Sequence, residues 1–339
     1  MINLHTKELI RVIEPFVSEY ETNIPVLKFL EEGISYFIDP HKCRLENLSS
    51  RNYFKRGKLP EIRKLVYSFE KAKYVERVPR QTLLAVSPIN LVPKRNGAWR
   101  LVFDARKINR LFVPEKLQMC TVLSPFADLS ALGGWWGKID LQNAFLHFPL
   151  EKNFSRWFGF ELDGAFYKFN RMPFGWNMAP VICQRILEPL TDFIYQKLSQ
   201  DPAVKQPPQI FLFLDDILIN AREKHVLEKT LKIFSEDFGK LGFNINRDKS
   251  VMQPKRVIEW LGFNISKKGV SVLPETIEAA HHAKATLAEF PTVQNLLSLI
   301  GILNWTARVC RWIQPFVAKF NSLIPTEHRV ASNRHQIKA

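Results

Sequence analysis

The sequence predicts a mixed α+β fold. Apolar residues recur every three to four positions in some stretches and every second position in others, and the two kinds alternate along the chain. Residues 7–20 (KELIRVIEPFVSEY) set Leu9, Ile13 and Phe16 at helical spacing. Residues 60–75 open with Pro60, a favoured first helical residue, and repeat Ile62, Leu65, Val66 and Phe69. After the turn signal Asn96-Gly97, Trp99, Leu101 and Phe103 alternate with Arg100, Val102 and Asp104, which predicts a strand. RMPFGWNMAP leads into a helix through VICQRILEPL, where Pro180 also reads as an ordinary helix start. QIFLFLDDILIN reads as a hairpin with Asp215 and Asp216 at its tip, and residues 222–241 read as a helix ending near Gly242. VIEWLGFNIS and GVSVLP read as the two arms of a second hairpin across Lys267-Lys268-Gly269, and 274–325 is helical in period.

Length and composition narrow the class. The 339 residues suggest two or three structural units. A hydrophobic share of 46% with 24% charged residues fits a soluble chain with a sizeable core, and excludes a disordered polymer or a fibre. Cys43, Cys120, Cys183 and Cys310 lie far apart with no CxxC pair, against a zinc ribbon, an iron–sulfur site or a disulfide framework. A reducing, intracellular compartment is expected. Charges at Lys7, Glu8, Arg11, Glu14, Glu19 and Glu21 speak against a cleaved secretory signal, and no apolar run is long enough to span a bilayer. No membrane association is expected.

Forty-eight Lys and Arg against 33 Asp and Glu leave a formal charge of +15. Residues 51–116 hold 17 of the bases and only five acids, interleaved with Tyr53, Phe54, Leu65, Val66 and Phe69. A folded, basic, aromatic-rich region suits a groove that tracks phosphates and stacks bases.

Three carboxylates break the apolar pattern. Asp215 and Asp216 lie inside the apolar stretch Ile210 to Ile219, and Asp140 ends the run Lys138-Ile139-Asp140-Leu141. Adjacent like charges in an apolar hairpin repel and are costly to desolvate, so a compensating divalent cation is the natural expectation. Three such carboxylates on neighbouring strand ends suit two Mg²⁺ ions about 3.5–4 Å apart, the arrangement used for in-line phosphoryl transfer. An isolated Asp in a turn is otherwise ordinary, and spacing alone leaves both readings open.

The segments SPINLVPKRNGAWRLVFDARKIN, KIDLQNAF, RMPFGWNMAP, FLDD, LGFNINRDKS and EWLGF occur in that order. Together they resemble the reverse transcriptases of retroviruses and long-terminal-repeat retrotransposons, closest by eye to the DIRS-type group. The likeness covers roughly residues 85–270 well and 271–325 loosely. It implies a right-hand polymerase fold, with residues 1–80 a helical region on the fingers side. Residues 81–270 become fingers and palm with an antiparallel sheet, 271–325 a helical thumb and 326–339 a polar tail.

The resemblance assigns metal binding to Asp140, Asp215 and Asp216 with the Leu141 carbonyl, for two Mg²⁺ that Mn²⁺ can replace. It makes Phe145 a steric gate against a ribose 2′-hydroxyl and lays Arg100 over the incoming triphosphate, with Lys94 and Arg95 as further clamps. Phe174 stands where related enzymes carry glutamine or phenylalanine, and Gly175 permits close backbone approach to nucleotide and template. In FLDD, Phe213 replaces the commoner tyrosine, keeping the ring and losing its hydroxyl. Lys249 is implied near the leaving pyrophosphate as a general acid, against the plain reading of a surface lysine. Trp260, Leu261 and Gly262 match the primer-grip hairpin, and Arg308, Arg311 and Lys319 beside Trp305 and Trp312 suit a thumb on a duplex.

The implied activity is RNA-directed DNA polymerisation with dNTPs on a primed RNA or DNA template, in the cytoplasm or nucleus. A hepadnavirus-like or domesticated reverse transcriptase carries the same three aspartates, and a catalytically silent nucleic-acid binder on the polymerase fold is the reading from another class. The intact triad counts against silence. PTEHRVASNRHQIKA is too short for a ribonuclease H domain, and neither Asp-Thr-Gly nor Asp-Ser-Gly occurs. The chain is expected to be either a fragment of a longer polyprotein or a separately encoded product.

Overall fold

The protein is described from a computed structural model, which covers residues 6–17, 26–36, 49–50, 56–94, 97–112 and 133–324. They fall into two compact units, one drawn from residues 1–119 and 137–254, the other from 120–136 and 255–339.

In the first unit, helix α1 (Thr6–Val17) buries Leu9, Ile13 and Phe16, the three residues at helical spacing. Helix α2 (Val26–Glu32) buries Val26, Phe29 and Leu30. Helix α3 (Leu59–Lys71) starts with its proline in the first turn and buries Ile62 and Val66. Residues 18–20, at the end of the first expected helix, lie outside the described residues. The second expected helix stops earlier than its period suggested, because Lys73 takes φ 60° and turns the chain into strand β1 (Val75–Arg77).

Strands β2 (Ile89–Pro93) and β3 (Trp99–Phe103) form an antiparallel hairpin. Strand β4 (Trp135–Asp140) belongs to a four-stranded sheet described below. Strands β5 (Gly159–Leu162) and β6 (Ala165–Phe169) join β1 in an antiparallel sheet of order β1-β6-β5. Helix α4 (Ala179–Ser199) opens with Pro180 in its first turn and buries Ile182, Ile186, Leu187, Leu190, Ile194 and Leu198. Each such side chain contributes about 1.5–3 kcal/mol on burial, so the helix is a rigid floor. Strands β7 (Gln209–Phe213) and β8 (Asp216–Ala221) are antiparallel, with Phe213 opposite Asp216. Helix α5 (Lys224–Lys240) follows, then β9 (Val251–Lys255), and the sheet runs β7-β8-β4-β9. Trp176 is buried in a nest of rings, 5.5 Å from Phe112, 5.7 Å from Phe154 and 5.2 Å from Phe158. These contacts anchor the turn that carries Phe174 and Gly175.

The second unit holds strands β10 (Val257–Trp260), β11 (Phe263–Ser266) and β12 (Gly269–Val272), antiparallel in that order. The single long arm expected over VIEWLGFNIS is therefore two strands. The chain reverses at Leu261-Gly262, both at positive φ (46° and 79°), as a tight hairpin turn demands. Helices α6 (Pro274–Glu289), α7 (Val293–Ala307) and α8 (Gln314–Ser322) complete the unit around Leu296, Ile300, Val317 and Ile324. The expected helical stretch is thus three helices. The second begins where the Thr292 hydroxyl accepts the Asn295 N–H at 3.2 Å, a side-chain cap. Phe263 stacks on Trp305 at 5.1 Å and 17°, tying the small sheet to α7. Among the described residues no helix is long and apolar enough to cross a membrane.

Candidate active site

Hydrogen bonding draws the three aspartates together. Asp140 is the last residue of β4, Asp215 sits in the β7–β8 turn and Asp216 opens β8, which lies beside β4 in the sheet. The Leu141 N–H donates to the Asp215 carbonyl at 3.3 Å, joining strand end to hairpin tip. The tip is held from below by Gln184 of α4, whose Oε1 accepts the Leu214 N–H at 2.8 Å. Gln184 is itself braced by Glu188 at 3.1 Å. Leu214 takes φ 56°, a conformation that costs an L-residue roughly 1–2 kcal/mol and persists only where the surroundings impose it.

The electrostatics follow from this crowding. Burial pushes the Asp216 carboxyl up to about 6; Lys138 pulls it back, while Asp215 and Asp140 push it further. Asp215 is raised by burial first and by the Asp140 charge second, with Lys249 and Arg100 opposing. Oδ1 of Asp216 is buried without a hydrogen-bond partner. A buried orphan oxygen beside two more carboxylates is a donor set for a hard divalent cation. Lys249 Nζ stands 3.7 Å from Asp140 Oδ2, an ion pair and no hydrogen bond. Among the described residues, no three carboxylate, imidazole or thiol groups are close enough to form a ready-made cage. The site has the donors without a preassembled shell.

The basic hairpin contributes next. Arg100 of β3 lies 5.0 Å over the Phe174 ring, and Phe174 packs on Phe145 at 5.1 Å. Arg100, Phe174 and Phe145 therefore form one cluster. The Lys94 ammonium is lowered by burial and then by the like charges of Arg100 and Lys249, so these cations share one region. Arg95 lies outside the described residues. Gly175 takes φ 113°, and a Cβ there would stand 2.0 Å from the Phe103 carbonyl. The close approach it permits is to β3, where the Phe103 N–H donates to the Phe174 carbonyl at 2.9 Å.

Trp260, Leu261 and Gly262 lie in the second unit. Trp260 is fully buried, and Leu261-Gly262 make the partly exposed turn. A Cβ on Gly262 would meet the Trp305 ring at 3.1 Å. Several polar residues that serve the site were not singled out in the sequence. Gln184 sits beside Arg185 in the otherwise apolar run VICQRIL, where a buried polar residue was a usable signal. Lys138 precedes Asp140 by two residues, and the Ser250 hydroxyl accepts the Asp140 N–H at 3.0 Å; neither leaves a periodic trace.

The sequence profile of the family described as "Reverse transcriptase (RNA-dependent DNA polymerase)" matches residues 92–265, about half of the chain, and the chain belongs to that family. It is 22% identical over 265 residues to the Gag-Pol polyprotein of Walleye dermal sarcoma virus, covering 77% of this chain and 14% of that protein. It is 26% identical over 248 residues to the retrovirus-related Pol polyprotein from transposon 412 of Drosophila melanogaster, covering 65% of this chain and 19% of that protein. A solved structure of the foamy viral protease-reverse transcriptase in complex with double-stranded DNA shares the fold. Its TM-score is 0.65 at 19% identity, covering 93% of this chain and 55% of the other. A second, in complex with an RNA/DNA hybrid, has a TM-score of 0.59 at 19% identity, covering 83% of this chain and 37% of the other. The chain thus spans only a minor part of the polyproteins it resembles.

Proposed function

We propose that this chain is an RNA-directed DNA polymerase that adds deoxynucleotides to the 3′-hydroxyl of a primer on an RNA or DNA template. The observation that supports the reading is that Asp140, Asp215 and Asp216 lie on neighbouring strand ends and feel one another's charge, with Asp216 Oδ1 buried and unpartnered. Asp140, Asp215, Asp216 and the Leu141 carbonyl would hold two divalent cations, Mg²⁺ or Mn²⁺. When bound, these supply positive charge for the attacking hydroxyl and the leaving pyrophosphate. The protein's own groups do the rest. The primer hydroxyl gives up its proton to solvent as its oxygen forms a bond to the α-phosphorus and the bond to the pyrophosphate oxygen breaks. Lys249, beside Asp140, donates a proton to the departing pyrophosphate.

Arg100 and Lys94 bind the triphosphate, Arg100 through a guanidinium fork that lies over the Phe174 ring. Phe145, backed by the same ring, excludes a ribose 2′-hydroxyl. Leu261 and Gly262 seat the primer end from their hairpin turn, while buried Trp260 supports that turn from within. Further parts of a polyprotein, a ribonuclease H domain among them, would act alongside, as the length of the relatives suggests. Work on such templates belongs to the cytoplasm or nucleus.

The test is primer extension on an RNA template by the parent chain and by Asp215→Asn with Asp216→Asn. Extension is expected to fall by ~10³-fold or more in the variant, equivalent to about 4 kcal/mol of barrier, with template–primer binding retained. Equal loss of binding and extension would make the pair structural and the reading wrong.

A further inference from the structure

His147 is a residue that the reading above does not use. It lies in the 3₁₀ turn Ala144–His147 after Asp140 and is completely buried. Both ring nitrogens are occupied. Nε2 lies 3.1 Å from the Asn244 backbone nitrogen, so it accepts that N–H and carries no proton. Nδ1 lies 3.1 Å from the Ala144 carbonyl and must be the donor. The two partners thereby fix one neutral tautomer. The backbone carbonyl of His147 accepts Arg171 Nη1 at 2.9 Å, and the ring packs on Phe243 at 5.3 Å.

Asn244 begins the segment that delivers Lys249. Its carbonyl accepts the Gln142 N–H at 2.8 Å, and Ile245 forms an antiparallel bridge to Leu141. The Asn246 N–H donates to the Asp140 carbonyl at 2.8 Å, and Ser250 closes the segment on the Asp140 N–H. Between Ser250 and Asn246 the turn is short, since the Ser250 N–H returns to the Asn246 carbonyl at 2.9 Å. The backbone that carries Lys249 is therefore fixed once Asn244 is set against the Asp140 strand. The contact that fixes Asn244 from the other side is the imidazole.

We propose that His147 is a positioning residue. Its neutral ring, clamped between the Ala144 carbonyl and the Asn244 N–H, sets the register of Asn244–Ser250 on the end of β4 and so places Lys249 beside Asp140. The role needs one acceptor and one donor on a compact side chain. Glutamine can supply both; leucine fills similar volume and supplies neither. The inference rests on the polymerase reading for its consequence in catalysis, and on geometry alone for the placement of the segment.

Two measurements on the full chain decide it. Amide hydrogen exchange reads placement without activity. In His147→Leu the amides of Gln142, Asn244 and Asn246 are expected to lose at least tenfold protection while α5 keeps its own; in His147→Gln they recover. Unchanged protection of those three amides in His147→Leu overturns the proposal, as does equal loss throughout the unit. Primer extension then reads consequence through a double-mutant cycle. His147→Leu should lower kcat about tenfold or more in the parent and less than twofold when Lys249 is already Ala. Equal losses in both backgrounds mean that His147 does not act through Lys249. Absence of extension by the parent overturns the polymerase reading alone, and the exchange result still decides the placement.

Discussion

At the scale of single residues, the site depends on groups whose surroundings are unusual for their type. Phe145 packs against a second ring, Phe174, which supports its position. Phe145→Val should raise ribonucleotide incorporation relative to deoxyribonucleotide by roughly 10–100-fold, since the contact traded is a few methylenes of shape. An unchanged ratio in a competitive incorporation assay would remove Phe145 from sugar selection. The His147 ring makes a separate, thermodynamic prediction. Burial first, then the charge of nearby Arg171, hold it well below its ordinary 6.5, at about 4. Between those pH values an unfolded chain takes up a proton that the folded chain refuses. Stability from this ring is therefore complete above about pH 6.5 and lost as pH falls toward 4, by about 3 kcal/mol at most. Urea unfolding of parent and His147→Leu from pH 7 to 4.5 isolates the effect, because the raised Asp215 and Asp216 act alike in both. The parent should show the steeper decline.

At the scale of elements, the β7–β8 tip and the turn before β11 share a device, a leucine held in left-handed backbone conformation at the reversal. Leu214→Gly should relieve that strain and raise stability by roughly 1 kcal/mol, while loosening the Asp215 backbone and slowing extension. Chemical denaturation beside a kcat measurement separates the two effects. These tips also show what the sequence could and could not display. Asp215 and Asp216 stood out because carboxylates in an apolar run have no ordinary reason to be there. The β10–β11 reversal did not, because Leu261 is an apolar residue at a position where Asn or Gly is the usual signal, so the two strands read as one. Asp140 was legible from its strand end, whereas Ser250 and His147 act through backbone partners far along the chain and lack any spacing of their own. The helices of the second unit had the right period, but their breaks at Thr292 and beyond Ala307 depend on capping that a long apolar period hides.

At the scale of the whole molecule, the +15 charge governs how it meets a polyanion. If six to ten phosphates are neutralised, affinity for a primed duplex should fall about 10³–10⁵-fold between 50 and 200 mM salt, with a linear log–log slope. A shallow slope, read by fluorescence anisotropy, would mean that the basic hairpin and its neighbours do not track the backbone. The Gly175 contact bears on the whole chain in another way. Because the Phe103 carbonyl leaves no room for a Cβ, and the Phe103 N–H is spent on Phe174, β3 and the Phe174-Gly175 turn are one mechanical part although seventy-odd residues separate them. Chimeras that borrow nucleotide selectivity from a relative must then exchange residues 99–103 and 172–177 as a set. A graft of either piece alone mates two surfaces shaped for different counterparts, and such hybrids should express poorly where the paired exchange does not.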